Sequence, residues 1–467
     1  MLCWLGLPMV LYWGKMQLLD RSWLLDHPFE CLLYLHSQTP LLNTLAMFIA
    51  HASALTGLAE AAIASALFGL LAFGCFALLL EVAQLATGSR LASAICGAAL
   101  LANPAFAFYR HRLLYEIPAM LAVLLVTWGF LCFVREGRGR DWIGLIVALA
   151  LLCVTKSLFH PLLALAIALL ALAARHFSAR TPLRDLARRC APGFALGIAL
   201  VVLWPAKNAL VFGQFVSSSW LGFNLIVRTP VEPYEPFVDF IERAQIHASL
   251  EPQIARFEPL FAGDDLEVVL ALKKPSHPKI PNWNHLAVLY TSGELVRRGL
   301  AWRFANFGEW MRMTAGRYFM TMRASFVFPY SAKRLFRASK RFNAYAKRYR
   351  DFIHPDLRPW LERAFPNWFV HRYAVIIDAP IPYTPWAFAY PPLLLAFALV
   401  ALRRRREPLG GFLALCALAS AWTILVPALT DGAEGNRMRL ATAPLVSVGA
   451  YALAQLATRW LRGRRRA

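Results

Sequence analysis

Five stretches of this chain are too apolar and too long for an ordinary soluble core: Ala62 to Ala86, Ile117 to Val134, Trp386 to Leu402, Gly411 to Ala428 and Leu440 to Ala457. Each approaches the roughly 20 residues with which a helix crosses about 30 Å of hydrocarbon. Leu91 to Phe108, Trp142 to Ala174 and Pro192 to Trp204 are further candidates. A backbone in lipid must satisfy its own amides, so these runs predict helices. Composition agrees, because 58% of the 467 residues are hydrophobic and only 16% charged, outside the usual soluble range. The expected fold is an all-α polytopic membrane protein. It should have about ten transmembrane or re-entrant helices and one large extracytoplasmic, mainly helical domain.

The net charge of +22 does not point to nucleic acid, because the charges gather in short clusters that abut apolar runs, as topology signals do. One set of connections carries Arg90; Arg135, Arg138 and Arg140; Arg175, Arg180, Arg184, Arg188 and Arg189; Arg403 to Arg406; and Arg459, Arg462 and Arg464 to Arg466. The alternate set holds Lys15, Arg21, Arg110, Arg112, Lys156, Arg437 and Arg439, seven against eighteen. The richer set is therefore expected in the cytoplasm. Both termini then face the cytoplasm across ten segments, as in a multi-pass protein of a bacterial inner membrane.

Three regions follow: 1–207, a transmembrane region with an extracytoplasmic first loop; 208–385, an extracytoplasmic membrane-associated domain; and 386–467, transmembrane helices with a basic cytoplasmic tail. Leu2 to Trp13 lacks the basic leader and small-residue cleavage site of a signal peptide. It resembles half of a first transmembrane helix, so the chain is expected to begin upstream of Met1. Trp142 to Ala174 must cross twice, which predicts two short helices meeting at Thr155, Lys156 and Pro161. Lys333 to Phe352 reads as a basic amphipathic helix, of the kind that rests in the interface and draws anionic head groups. A plain solvated helix is the bland alternative.

The acids Asp20, Asp26, Glu30, Glu60, Glu116, Asp431 and Glu434 all fall in or beside the extracytoplasmic connections. Charge so close to a bilayer is expensive and marks function, although loop residues at the water interface are also common. The first loop is densest, with Asp20, Asp26, His27, Glu30, His36 and Gln38, and Asn43 opening the next helix. A carboxylate there can deprotonate an acceptor hydroxyl or bind a metal. No spacing makes a metal signature, and the eight cysteines are scattered singly, so no cofactor is predicted and a divalent metal stays open. Tyr115, Glu116, Lys156 and His160 come from the next two connections, and Glu434, Asn436, Arg437 and Arg439 from the last. Lys and Arg among them suit a phosphate. Pairing with Glu434 or Asp431 is the competing explanation for Arg437 and Arg439, and snorkelling at the interface is the one for Arg110 and Arg112. No glycine-rich phosphate loop is present, which disfavours a soluble nucleotide-sugar site.

The string Tyr34-Leu-His36-Ser-Gln38-Thr-Pro40-Leu-Leu-Asn43 resembles the first-loop signature of C-type glycosyltransferases. The likeness is to the family 39 type, which includes protein mannosyltransferases and the lipid A aminoarabinose transferase. Members commonly carry Pro-Pro-Leu here, and Thr39 replaces the first proline. Glu434 with Asn436-Arg437, before a late span containing Pro444, is a second likeness. The resemblance covers architecture over the chain and sharp motifs over about twenty residues. It implies transfer of a sugar from a polyisoprenyl-phosphate donor to a lipid, polysaccharide or protein acceptor in the cell envelope. A first-loop Asp would act as base, best matched by Asp20 and then Asp26, although Arg21 stands where many relatives have a second acid. Lys156, Arg437 and Arg439 would hold the donor phosphate. A transporter or flippase of lipid-linked sugars, or a non-catalytic membrane subunit, are the other readings.

Overall fold

The computed structural model describes residues 7–11, 13, 18–226, 267–271, 273–322, 325, 340–357, 363, 384–430 and 435–464. Three short helices open it: α1 Arg21–Asp26, α2 Pro28–Tyr34 and α3 Pro40–Thr56. The bundle follows with α4 Glu60–Thr87, α5 Arg90–Ala102, α6 Pro104–Arg110, α7 Glu116–Glu136, α8 Gly139–Thr155, α9 Pro161–Ala179 and α10 Leu183–Phe212. After α11 Trp220–Ile226 and α12 Glu267–Leu270 come strands β1 Lys273–Lys274 and β2 His277–Pro281, then α13 Leu286–Ala305, α14 Phe307–Thr321 and α15 Lys340–Ile353. The chain returns to the bundle with α16 Pro385–Arg403, α17 Pro408–Thr430, α18 Gly435–Met438, a 3-10 turn Arg439–Thr442 and α19 Ala443–Arg464. Among the described residues seven helices are long and apolar enough to cross a membrane, or eight if the bent pair α5 and α6 counts as one. The protein is an all-α, multi-pass membrane protein.

Each turn of the bundle belongs to one of two ends. At the first end Arg175 donates to the carbonyls of Val134 and Arg135 at 3.1 and 2.8 Å, and Arg135 donates to Leu85. Arg405 lies 5.5 Å from the Phe177 ring centroid, and Ser89 Oγ is 3.3 Å from Tyr451 Oη. The basic turns predicted to share a side are thus packed together. Gly88 and Gly137 end α4 and α7 there with φ of 68° and 69°, a left-handed conformation costly for any residue with a Cβ. Helices that leave this end arrive at the other, where Tyr115, Lys156 and Arg437 lie.

Small residues set the helix spacing. A Cβ on Gly129 of α7 would come 3.1 Å from Leu145 Cα of α8. On α10, Gly193 and Gly197 bring the backbone against Trp142 and Ile146, and the Trp142 indole donates to Cys190 O at 2.9 Å. Without a hydrophobic force between helices in lipid, such close approach is what holds them together. α7 is the centre of the bundle, with 78% of its most apolar window buried.

The predicted break lies at Lys156 to His160, between α8 and α9, where Pro161 can begin a helix but not continue one. The run Leu91 to Phe108 bends by 63° between α5 and α6. There Pro104 lacks an N–H and Asn103 caps Ala105 N at 2.9 Å. The first segment differs from expectation. Residues 7–11 and 13 are not helical; Val10 pairs in parallel with Arg112, donating to His111 O at 3.0 Å and accepting from Leu113 N at 3.2 Å. Apolar side chains serve an extended strand packed on protein as well as a helix in lipid, and hydropathy does not separate the two. Of Lys333 to Phe352, residues 340–352 are helical and the rest lie outside the described residues.

Candidate functional site

Tyr115 immediately precedes α7 and Glu116 is its first residue. Lys156, in extended conformation, ends α8, and Arg437 belongs to α18, which leads through the 3-10 turn into the last span. Four side chains from three distant connections meet here. Arg437 Nε donates to Glu116 Oε1 at 2.8 Å, and its Nη2 donates to Tyr115 Oη at 2.5 Å. Lys156 Nζ lies 3.8 Å from the Tyr115 ring centroid and Arg437 Cζ lies 5.3 Å from it. The electron-rich ring face therefore attracts two cations at once. Arg437 is 1% exposed, Glu116 4% and Lys156 8%. Burying an ion pair is costly unless its remaining hydrogen-bonding capacity is used, and Glu116 Oε2 is a buried atom with no partner among the described residues.

Arg439, two residues beyond Arg437, has different neighbours. Its guanidinium lies 5.2 Å from the Tyr390 ring centroid and close to the end of α15, where burial and its charge push His354 down to about 3. The side chains of Glu434 and Asn436 lie outside the described residues.

The first-loop residues assemble a different structure. Asp20 caps α1 and is fully buried. Its carboxylate accepts from Ser22 N at 3.0 Å, Ser22 Oγ at 2.8 Å, Ser276 N at 3.0 Å and Ser276 Oγ at 2.7 Å. Burial alone would raise its pKa, but these four donors hold it below the ordinary carboxylate value. Lys274, which burial lowers to about 8 despite Asp20 nearby, donates to Leu18 O. Asn43 Oδ1 accepts from Leu19 N at 2.8 Å. His36 is enclosed, with Nδ1 3.1 Å from Ser219 Oγ and its ring edge-on to Phe212, and burial drives it down to about 3. Asn284 joins this loop to the later segment, accepting from His36 N and Ser37 N at 2.9 and 3.1 Å and donating to Tyr34 O at 2.8 Å. Gln38 is half-buried, while Asp26 and His160 are exposed, His160 capping α9 through Leu162 N at 3.2 Å.

The predicted residues thus divide. Tyr115, Glu116, Lys156 and Arg437 converge, Arg439 turns instead to Tyr390 and His354, and Asp20, His36 and Asn43 build a buried clasp. Sequence reasoning passed over Lys274, Ser276 and Asn284, whose signal was a turn-rich patch dense in polar residues between two helical stretches. Among the described residues no three His, Cys, Asp or Glu side chains gather as a metal site. Comparison with known protein families, with curated proteins and with solved structures finds no match.

Proposed function

We propose that this protein is a membrane glycosyltransferase that moves a sugar from a polyisoprenyl-phosphate donor to an envelope lipid, polysaccharide or protein. The observation that carries this reading is the meeting of Lys156 and Arg437 on Tyr115, at the end of the bundle opposite the basic turns. Two buried cations at a span end suit a phosphate whose lipid tail stays in the bilayer. Transport would instead call for ionisable groups near the midplane. By the positive-inside rule the basic end faces the cytoplasm of an inner membrane, so the cluster opens to the far side.

In the reaction the acceptor oxygen bonds to the anomeric carbon as the bond from that carbon to the phosphate oxygen breaks. The acceptor proton passes to a carboxylate, and the polyisoprenyl phosphate leaves with the bonding pair. Lys156 and Arg437 stabilise the charge that develops on the leaving phosphate. The resemblance assigns the base to Asp20 or Asp26. Asp20 already accepts four hydrogen bonds, which makes it a weak proton acceptor, and this favours the exposed Asp26 as the base. Glu116 Oε2, without a partner among the described residues, supports a further polar contact to the donor.

The test is release of polyprenyl phosphate by the protein in nanodiscs, supplied with a panel of polyprenyl-phosphate hexoses and pentoses together with lipid, polysaccharide and protein acceptors from an envelope extract, and followed by mass spectrometry. Lys156→Gln and Arg437→Gln should each lower kcat/KM at least ~tenfold, the value of about 1.4 kcal/mol of lost phosphate interaction. Arg437→Lys should recover only part of it, because the fork to Glu116 and Tyr115 is lost. Unchanged turnover in both Gln variants, or no release from any donor by the wild type, would end the proposal.

A further inference from the structure

α15 has two unlike faces. Phe342 and Ala346 are buried on one: Phe342 stacks on Phe108 of α6 with centroids 6.0 Å apart, and Tyr345 Oη donates to Ala102 O. The other face exposes Lys340, Arg341, Lys347, Arg348 and Arg350, with Phe352 83% exposed at the end. Among the described residues Asp351 moderates them, its Oδ1 3.0 Å from Arg350 Nη2.

Where the helix is fastened decides what its outer face meets. One anchor is the carbonyl of Ala102, at the point where α5 bends by 63° into α6. The other is Trp386, second residue of the span α16, whose indole donates to Ile353 O at 2.6 Å. α15 therefore bridges the bend between α5 and α6 and the first turn of α16, both on the side of the bundle away from the basic turns. A cationic face there, ending in an exposed aromatic residue, matches an anionic bilayer surface in charge and polarity. We infer that the outer face of α15 docks on the head groups of anionic phospholipids in the surrounding bilayer. This is separate from donor binding: the inner face adjoins Arg439 through His354, whereas the docking face points away from it.

The experiment is native mass spectrometry of the full-length protein released from nanodiscs of equimolar phosphatidylglycerol and phosphatidylcholine, with no glycosyl donor present. The wild type should retain phosphatidylglycerol in preference. A fourfold variant, Lys340→Gln, Arg341→Gln, Lys347→Gln and Arg348→Gln, should lose at least ~tenfold of that preference, since each cation near a charged surface contributes about fivefold. Salt offers a readout on the unaltered protein: 0.5 M sodium chloride in the disc buffer should erode the preference, because the Debye length falls to a few ångström (about 4). Equal retention by the variant, or indifference of the wild type to salt, overturns the inference. Displacement of the lipid by millimolar inorganic phosphate overturns it too, since that marks a discrete phosphate site rather than a bilayer surface.

Discussion

Asp20 owes its character to its neighbours. The loop sequence presents an acid after an apolar stretch, which is equally the signature of a catalytic base and of a helix cap. Four donors decide for the cap, two of them from Ser276, 256 residues away. Asp20→Asn replaces one acceptor oxygen by a donor that faces the Ser276 hydroxyl or amide, so it should lower stability by ~1–3 kcal/mol. Ser276→Ala should reproduce part of that loss without touching the carboxylate. If Asp20→Asn instead abolishes sugar transfer with an unchanged melting temperature, Asp20 is the base after all. His36 carries a pH dependence with a definite sign. Burial lowers it from 6.5 to about 3, so between those values the unfolded chain binds a proton that the folded chain refuses. Stability is complete above pH 6.5 and declines towards pH 3, by up to ~1.4 kcal/mol per pH unit. His354 acts in the same direction. Melting curves at pH 7 and 5 should differ less for His36→Asn than for the wild type; equal differences would mean that His36 is protonated when folded.

Elements show which parts of the structure a sequence can announce. The long spans were legible because a run of apolar residues has few stable fates other than a helix in lipid, and the break at Lys156 was legible because a charge and a proline interrupt such a run. The clasp of the first loop on residues 273–285 was not legible. It depends on Ser276 and Asn284 meeting partners about 250 residues away, and a pair of that separation leaves no local periodicity. The same holds for the four-residue cluster: charge and side suggested that Lys156 and Arg437 belong together, but nothing in the sequence said that Tyr115 would be the surface on which they meet. Helix contacts were equally silent about register, which glycines supply. A Cβ at position 193 would lie 2.5 Å from the Trp142 ring, so Gly193→Val should push α10 off α8 and cost ~1–3 kcal/mol by overpacking. Gly144, whose Cβ position is open, should accept Ala within ~0.5 kcal/mol. Similar melting temperatures for the two variants would show that α10 does not seat on α8 as described.

For the whole molecule, the packing of the basic turns turns a statistical rule into a geometric constraint. Positive-inside counting treats each connection separately, yet Arg175 bonds the carbonyls of Val134 and Arg135, and Arg405 lies on Phe177. These turns must therefore face the same compartment whatever that compartment is. Single cysteines at Arg138, Arg180 and Arg404, in a background lacking the native cysteines, separate fold from orientation. With a membrane-impermeant maleimide on intact cells, all three should stay unlabelled while Asp26→Cys reacts. If the three react together and Asp26→Cys does not, the bundle stands but is inverted, and the cation cluster faces a compartment where a nucleotide-activated donor is as accessible as a lipid-linked one. If the three disagree among themselves, the alternation of helices between two ends is broken. The convergence of Lys156, Arg437 and Tyr115, which requires their connections at a common end, then fails with it.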